Sequence, residues 1–431
     1  MVYRFDSVEA LEVLDSRGRP TIEVTVRLMG GPEGVAGVPA GASTGSLEAV
    51  EFRDGERGRY GGRGTRGAVG AVNGELRDLL VGRPWADLAE LDEAMCELDG
   101  TDGKRRLGAN SLVGVSMASA RAMAGADGVP LWAWLGGDGI EARLPVPHFN
   151  VVNGGAHASN DLEFQEFMLA PVGAGSLADA VRAGAEIYAE LRRLLSARGH
   201  TTGLGDEGGF APEIGTPEEV LEILVAAVAG AGYEPSRQGV AIALDPASSQ
   251  FHEPDGRYRY APGVLVSTDE LIDRYAELVA AYPIVLIEDG LAEDDWDGWV
   301  RLTDRLGERV RLVGDDIFVT NPTIIDRAIQ GGVGNAALIK PNQIGTVSET
   351  LAAMDVCRAG GYGQFVSHRS GETCDSFIAD LAVGRGCGLI KAGAPARGER
   401  VAKYNRLLRI AAQRPELGYG PVPDGRLQEG H

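Results

Sequence analysis

Between Gly239 and Gly393, six apolar runs each end in a charged or strongly polar side chain: VAIALD at Asp245, PIVLIED at Glu288, VRLVGDD at Asp315, AALIK at Lys340, FVSH at His368 and GLIK at Lys391. Short runs rich in Val and Ile read as strands buried on both faces, which is what a parallel sheet requires. The polar ends recur with the rhythm of a strand plus its return helix. Six such units in series predict an α/β fold built as a (β/α) barrel. In such barrels the C-terminal ends of the strands open into one shared mouth, and the mouth carries the chemistry. Three carboxylates, two lysines and a histidine are therefore expected to converge. Taken singly, a carboxylate at a strand end is as well explained by a helix cap or an ion pair. Six of them in phase are not.

Three carboxylates with no thiol among them make a hard oxygen site, suited to Mg²⁺ rather than zinc. If Asp245, Glu288 and Asp315 hold such an ion and a substrate carboxylate binds to it, removing the proton from the neighbouring carbon puts a second negative charge on the same oxygens, which the metal offsets. A lysine held among cations can lose its proton near neutral pH and act as the base, and either Lys340 or Lys391 could serve. A hydroxyl leaving from the next carbon needs an acid on the other side, either Glu207 in its glycine-rich loop or Glu166. Arg369 and Ser370, with His368, suit a phosphate, because a guanidinium offers paired donors. Each residue also has an ordinary reading. His157 and His368 could be core histidines, Glu166 an exposed strand residue, Arg369 a surface ion pair and Ser43 a turn. Sugar-acid dehydratases and racemases, which also abstract a proton beside a carboxylate, fit the same pattern.

The chain has 431 residues, room for a barrel of about 250 residues and a second domain. Its 41 basic and 62 acidic residues give a net charge of −21, which argues against nucleic acid or an anionic membrane as the main partner. An anionic substrate would therefore depend on local cations, here Lys340, Arg369, Lys391 and metal. Cys96, Cys357, Cys374 and Cys387 have neither CxxC spacing nor the density of a disulfide scaffold, and point to a reducing cytoplasm. The start MVYRFDSVEALEV lacks a long apolar core, so no signal peptide is expected. No stretch of about 18 uncharged apolar residues suggests a membrane span.

Residues 1–137 read as an α+β domain and residues 138–431 as the barrel, with the polar GDGIEAR segment as the link. Thr21 to Leu28 alternates after the polar turn Asp15–Gly18, predicting an antiparallel hairpin region. The small-residue segment Gly37–Ser46 leads into an expected helix; it is a connector by its composition, or a mobile lid whose hydroxyls reach a ligand. Gly62, Gly64 and Gly67 match GxGxxG, but follow a charged segment rather than a strand, which excludes a dinucleotide site. LGANSLVGVSMASARAMAGADG predicts a close-packing helix ended by Gly128. Beyond the link come a strand, a Gly154–Gly155 break, His157, and a second strand containing Gln165 and Glu166. Ser176, Thr216 and Ser267 are expected helix caps. The loop HTTGLGDEGGFAP is too rich in glycine to pack as a core element, and the residues from Arg414 to His431 read as a loose surface tail.

The segments VLDSRGRPTIEV, VPAGASTG, GANSLVGVS, NGGAHASN with QEF, GDEGGFAP, IEDGLAEDDW, GDDIFVTNP, IKPNQIGT, SHRSGETCD and IKAGAPARGERVAKYNRLLRI resemble, in order and over nearly the whole chain, the enolase (phosphopyruvate hydratase) family. The resemblance implies an enolase-type (β/α)8-like barrel that opens with two antiparallel strands, preceded by an N-terminal α+β lid domain. It implies Asp245, Glu288 and Asp315 as ligands of a first Mg²⁺, with Ser43 helping to hold a second. Lys340 falls at the family's base and Glu207 at its acid. His157, Glu166 and Lys391 fall around the substrate carboxylate and leaving group, and His368, Arg369 and Ser370 on the phosphate side. The implied substrate is a small phosphorylated carboxylate, 2-phosphoglycerate, and the implied assembly a homodimer or larger homo-oligomer. The chain departs from the usual family residues at Ala40, His148, Gln250, Gly290, Cys374, Leu389 and Ala392. Such changes beside a metal site can alter what it accepts. A specialised relative of phosphonate metabolism, carboxyphosphonoenolpyruvate synthase, is the alternative. A non-catalytic scaffold would be expected to have lost some of the six strand-end residues, and none is lost.

Overall fold

The computed structural model describes residues 2–42 and 44–420. The N-terminal sheet has the order β3-β2-β1-β4, formed by β1 (Tyr3–Leu14), β2 (Pro20–Leu28), β3 (Glu33–Gly37) and the short β4 (Pro84–Trp85). The alternation in β2 turns Ile22, Val24, Val26 and Leu28 inward, where they are fully or almost fully buried. They meet the expected small-residue helix, Ala109–Asp127, which ends at Gly128 in the left-handed conformation. Its lack of bulk is what lets it lie so close. A Cβ added at Gly34 on β3 would stand 2.0 Å from the carbonyl oxygen of Ala118, and one at Gly114 would stand 2.7 Å from Val24.

The helix expected after Ser46 does not form; no helical segment appears before Tyr60–Gly62. Its polar groups are satisfied outside the segment instead. Ala49 N–H donates to the carbonyl of Gln343, Val50 N–H to that of Gly103, and Phe52 N–H to the side-chain oxygen of Asn110. Helix propensity is a weak prior, and these tertiary partners override it.

The second unit is a closed eight-stranded barrel of β5 (Val146–Asn153), β6 (Glu166–Ala170), β7 (Ala241–Asp245), β10 (Ile284–Glu288), β11 (Arg311–Gly314), β12 (Ala336–Ile339), β13 (Gly363–Ser367) and β14 (Gly388–Lys391). An external hairpin of β8 (Tyr258–Ala261) and β9 (Val264–Val266) precedes the helix Thr268–Ala281. That insertion accounts for the long gap between the polar ends at Asp245 and Glu288. The strand β6 runs antiparallel to both of its neighbours, β5 and β7, whereas the other barrel pairs are parallel. Met168, Leu286, Leu338 and Phe365 fill the barrel interior beneath the mouth. The expected caps at Ser176, Thr216 and Ser267 all accept a backbone N–H from the third helical residue, and Ser267 forms a full capping box with Glu270.

Two further expectations are corrected. The glycine loop packs closely against the end of β5: Phe210 is 1% exposed and exchanges backbone hydrogen bonds with Val151 and Asn153. Its glycines are required by that approach, since a Cβ at Gly205 or Gly209 would fall within 2.7 Å of the Asn153 side chain. The first part of the expected loose tail is also ordered. Leu144 and Gly420 pair through their backbones, and the Tyr419 hydroxyl donates to the carbonyl of Pro171 at 2.9 Å, closing the far end of the barrel. Residues 421–431 lie outside the described residues.

Candidate active site

Seven strands deliver their C-terminal ends to the mouth, and reversed β6 delivers its first residue, Glu166, which pairs in register with both Asn153 and Asp245. A polar recess is lined there by His157, Glu166, Glu207, Asp245, Lys340 and Lys391, with Gln165 and the residues 367–370 completing it. Its charged lining suits an anionic metabolite rather than an apolar ligand.

Lys391 sits at the centre of the carboxylates. Its Nζ lies 2.7 Å from Glu288 and 3.3 Å from both Asp245 and Glu166. Burial alone would lower its pKa, but Glu166, Glu288 and Asp245 outweigh burial and hold the ammonium well above its ordinary range. Lys340 Nζ contacts Asp315 Oδ2 at 2.5 Å. Here too burial is outweighed, chiefly by Asp315, so Lys340 is held charged despite the opposing Arg369 and Lys391. The expectation of a lysine surrounded by cations is thus corrected: its nearest partner is a carboxylate.

The three expected metal ligands are all buried at strand ends. Asp245 and Glu288 share Lys391, while Asp315 is held by Lys340 and by Gln343 Nε2 at 2.8 Å. Among the described residues, the acidic groups whose donor atoms lie within 4.8 Å of one another are Asp289, Asp315 and Asp316, and, with a histidine, His157, Glu166 and Glu207. Asp289 was not expected; its carboxylate accepts the N–H groups of Asp315 and Asp316 at 2.8 and 3.0 Å and so orients that turn. Oxygen donors dominate the mouth, and burial together with Asp245 pushes Glu288 well above the ordinary carboxylate range. Asp245 and Glu288 belong to neither group; Asp315, with Asp289 and Asp316, makes an acidic, all-oxygen set of the kind that fits a hard divalent cation. Ser43 lies outside the described residues.

Across the ring, His157 bridges two carboxylates, with Nδ1 3.8 Å from Glu166 and Nε2 3.7 Å from Glu207. Burial, then repulsion from Glu207, pushes Glu166 well above its usual range. Burial opposes ionisation of Glu207 as well, but His368, His157 and Arg400 hold it well below. Of the two, Glu166 is the one whose surroundings favour the protonated form. Asn150 donates to Glu207 at 2.9 Å, and Ser370 Oγ meets His157 Nε2 at 2.9 Å.

Arg400, fully buried on the helix Gly398–Gln413, donates to His368 Nδ1 at 2.5 Å and to the carbonyls of Arg369 and Ser370. Arginine has no acceptor, so Nδ1 carries the lone pair and the neutral ring keeps its proton on Nε2, 3.2 Å from Glu207. Burial lowers the pKa of His368 to about 3, which fixes the neutral form. Arg369 grips Glu48 with both terminal nitrogens, at 3.0 and 3.1 Å.

Sequence reasoning missed Glu48, Asn150, Gln343 and Arg400. Gln343 and Arg400 lie inside quoted motifs, but nothing in their spacing separates them from ordinary helix residues. The seven departures from the family pattern all lie off the lining of the recess. His148 packs against Phe365 with its ring tilted, centroids 4.7 Å apart, Leu389 packs against the barrel interior, Cys374 is exposed, and Ala40 pairs with Gly371. The Gln250 side chain donates to the lining residue Gln165 at 2.8 Å, and His148 pairs in register with the lining residue Lys391.

Comparisons with known proteins agree with this architecture. The family described as enolase, N-terminal domain, matches residues 5–135, and the family described as enolase, C-terminal TIM barrel domain, matches residues 141–421. A protein named Enolase from Rubrobacter xylanophilus is 54% identical over 432 residues, covering 98% of this chain and 99% of the relative. With two domain families matching in order and that identity holding from end to end, the chain belongs to the enolase family.

Proposed function

We propose that the protein dehydrates 2-phosphoglycerate to phosphoenolpyruvate with the help of two Mg²⁺ ions. The observation that carries this reading is the placement of opposed proton-handling groups: Lys340 follows β12 and Glu166 opens β6, four strands apart around the eight-stranded ring. Asp245, Glu288 and Asp315 would hold the first ion and Ser43 would help hold the second. Bound magnesium would supply the positive charge that offsets the charge gathering on the substrate carboxylate.

Lys340, in its neutral form, takes the proton from carbon 2. On the opposite face a proton held by Glu166 passes through His157 to Glu207, which gives it to the hydroxyl on carbon 3; the hydroxyl leaves as water while the carbon–carbon double bond forms. The leaving group and the attacked proton thus depart from opposite sides, each toward its own acid or base. Lys391, between three carboxylates, positions the substrate carboxylate end. His368, Arg369 and Ser370 take the phosphate. For Lys340 to be neutral, the charge of Asp315 must be engaged elsewhere, which a cation on that carboxylate achieves. No observation in the site favours the phosphonate alternative.

The test mixes purified protein, 2-phosphoglycerate and Mg²⁺ and follows the ultraviolet absorbance of the enol product. Activity is expected, with loss on chelation and a fall of at least about a thousandfold in Lys340→Ala, the range for removing a catalytic base. Failure of the wild type to turn over this substrate refutes the reading. The homo-oligomer implied by the resemblance belongs to the same proposal, and the mass in solution measured by light scattering decides it.

A further inference from the structure

The chain that follows the N-terminal sheet is pinned on either side of residue 43. Before residue 43, Arg17 Nη2 donates to the carbonyls of Ala40 and Gly41 at 3.1 Å, and Ala40 exchanges backbone hydrogen bonds with Gly371. After it, the anchor is Glu48. Its Oε2 accepts from Arg369 Nη1 at 3.0 Å and its Oε1 from Nη2 at 3.1 Å, a fork-on-fork pair whose side chains are 9% and 3% exposed. The same Oε1 accepts from Gly45 N–H and from Gln343 Nε2 at 3.1 Å, and Gln343 Nε2 also donates to Asp315. Gln343 is itself held: its carbonyl oxygen takes the hydroxyl of Thr320, a β-branched residue at φ 55°, and that hydroxyl in turn accepts the N–H of Lys340. A single carboxylate therefore joins the segment around residue 43, the guanidinium of Arg369 and, through Gln343, the Asp315–Lys340 pair.

We infer that Glu48 is a positioning residue that sets the Arg369 guanidinium to receive a phosphate monoester dianion, acting through Arg369 rather than touching the substrate. This rests on the reading of Arg369 as part of the phosphate side. A long guanidinium side chain loses rotamer freedom when it binds an anion, and a planar two-point partner takes that loss out of the binding step. The third contact of the fork, Arg369 Nη1 to Asn342 Oδ1 at 3.1 Å, fixes its plane from the barrel side. With Nη1 committed to Glu48 and Asn342, an incoming phosphate meets an arginine already held in one orientation.

The test measures the binding of inorganic phosphate by calorimetry in the presence of Mg²⁺, for the wild type, Glu48→Ala, Arg369→Ala and the double variant, with Glu48→Gln as the variant that keeps the side-chain shape. Glu48→Ala is expected to weaken phosphate binding about tenfold, Glu48→Gln less, and the double variant no more than Arg369→Ala alone, because the two residues act as one unit. In turnover of 2-phosphoglycerate, Glu48→Ala should raise KM about tenfold while kcat changes less than about threefold. Tighter phosphate binding in Glu48→Ala would show that the carboxylate competes for the guanidinium, and would overturn the inference. So would independent, multiplying losses in the double variant, or the absence of phosphate binding by the folded wild type. Loss of catalysis in the wild type with the phosphate pattern intact would instead refute only the assigned reaction.

Discussion

Asp92 is a buried carboxyl far from the recess, on the helix Leu88–Asp99, yet it joins the two parts of the chain. It accepts from Ser116 Oγ on the Ala109–Asp127 helix and from Ser348 N–H beside the barrel, both at 2.9 Å. Burial, more than those hydrogen bonds can offset, raises its pKa from 3.8 to about 7. Between pH 4 and 7 the folded chain thus keeps a proton that the unfolded chain has released, so this residue's contribution to stability falls as pH rises and levels off above about 7. Asp92→Asn should remove that dependence. Chemical denaturation is expected to find the variant close to the wild type near pH 4 and progressively more stable toward pH 8, by up to roughly 4 kcal/mol. A constant difference across that range would refute the account. Arg121 offers the opposite case. It grips Asp375 with two hydrogen bonds of 2.6 and 2.7 Å, and Gly37 N–H donates to the same carboxylate. Arg121→Met strands a largely buried anion and should cost about 3 kcal/mol, whereas Arg121→Met with Asp375→Leu should recover much of it, as read from denaturant midpoints.

At the scale of elements, the parallel strands were legible because each is an unbroken apolar run that stops on a polar residue, and the caps because Ser176, Thr216 and Ser267 each stand three residues before an acid. What local pattern could not carry was long-range satisfaction of polar groups. The segment after Ser46 has helix-forming residues, but its N–H groups are claimed by Gln343, Gly103 and Asn110. Arg400 looks like an ordinary charged helix residue and is fully buried, with its guanidinium spread over His368 and the ends of three chain segments. The glycine loop was misread for a related reason: glycine there permits close contact rather than signalling looseness. The same logic predicts that Gly34→Ala, whose methyl would collide with the Ala118 carbonyl oxygen, separates β3 from its helix. Thermal unfolding should find a loss of about 1–3 kcal/mol. An unchanged melting temperature would mean that the helix can shift at no cost.

For the whole molecule, the decisive fact is that the mouth concentrates carboxylates in a chain whose net charge is already −21. Folding forces Glu166, Glu207, Asp245, Glu288 and Asp315 into one buried region, compensated within it chiefly by Lys340 and Lys391. A divalent cation bound only to the folded chain should therefore raise its stability, by about 2.7 kcal/mol at a hundredfold excess over Kd. Unfolding followed with Mg²⁺ and with chelator should differ by that order, and Glu288→Gln should shrink the gap. Among the described residues, no helix is long and apolar enough to cross a membrane. The backward course of β6 has one more implication. Because that strand enters the ring from the rim that the others leave, the eight staves are not interchangeable modules. The same strand run in the opposite direction would carry the residue now at position 166 to the other rim, so the placement of Glu166 at the mouth depends on that reversal.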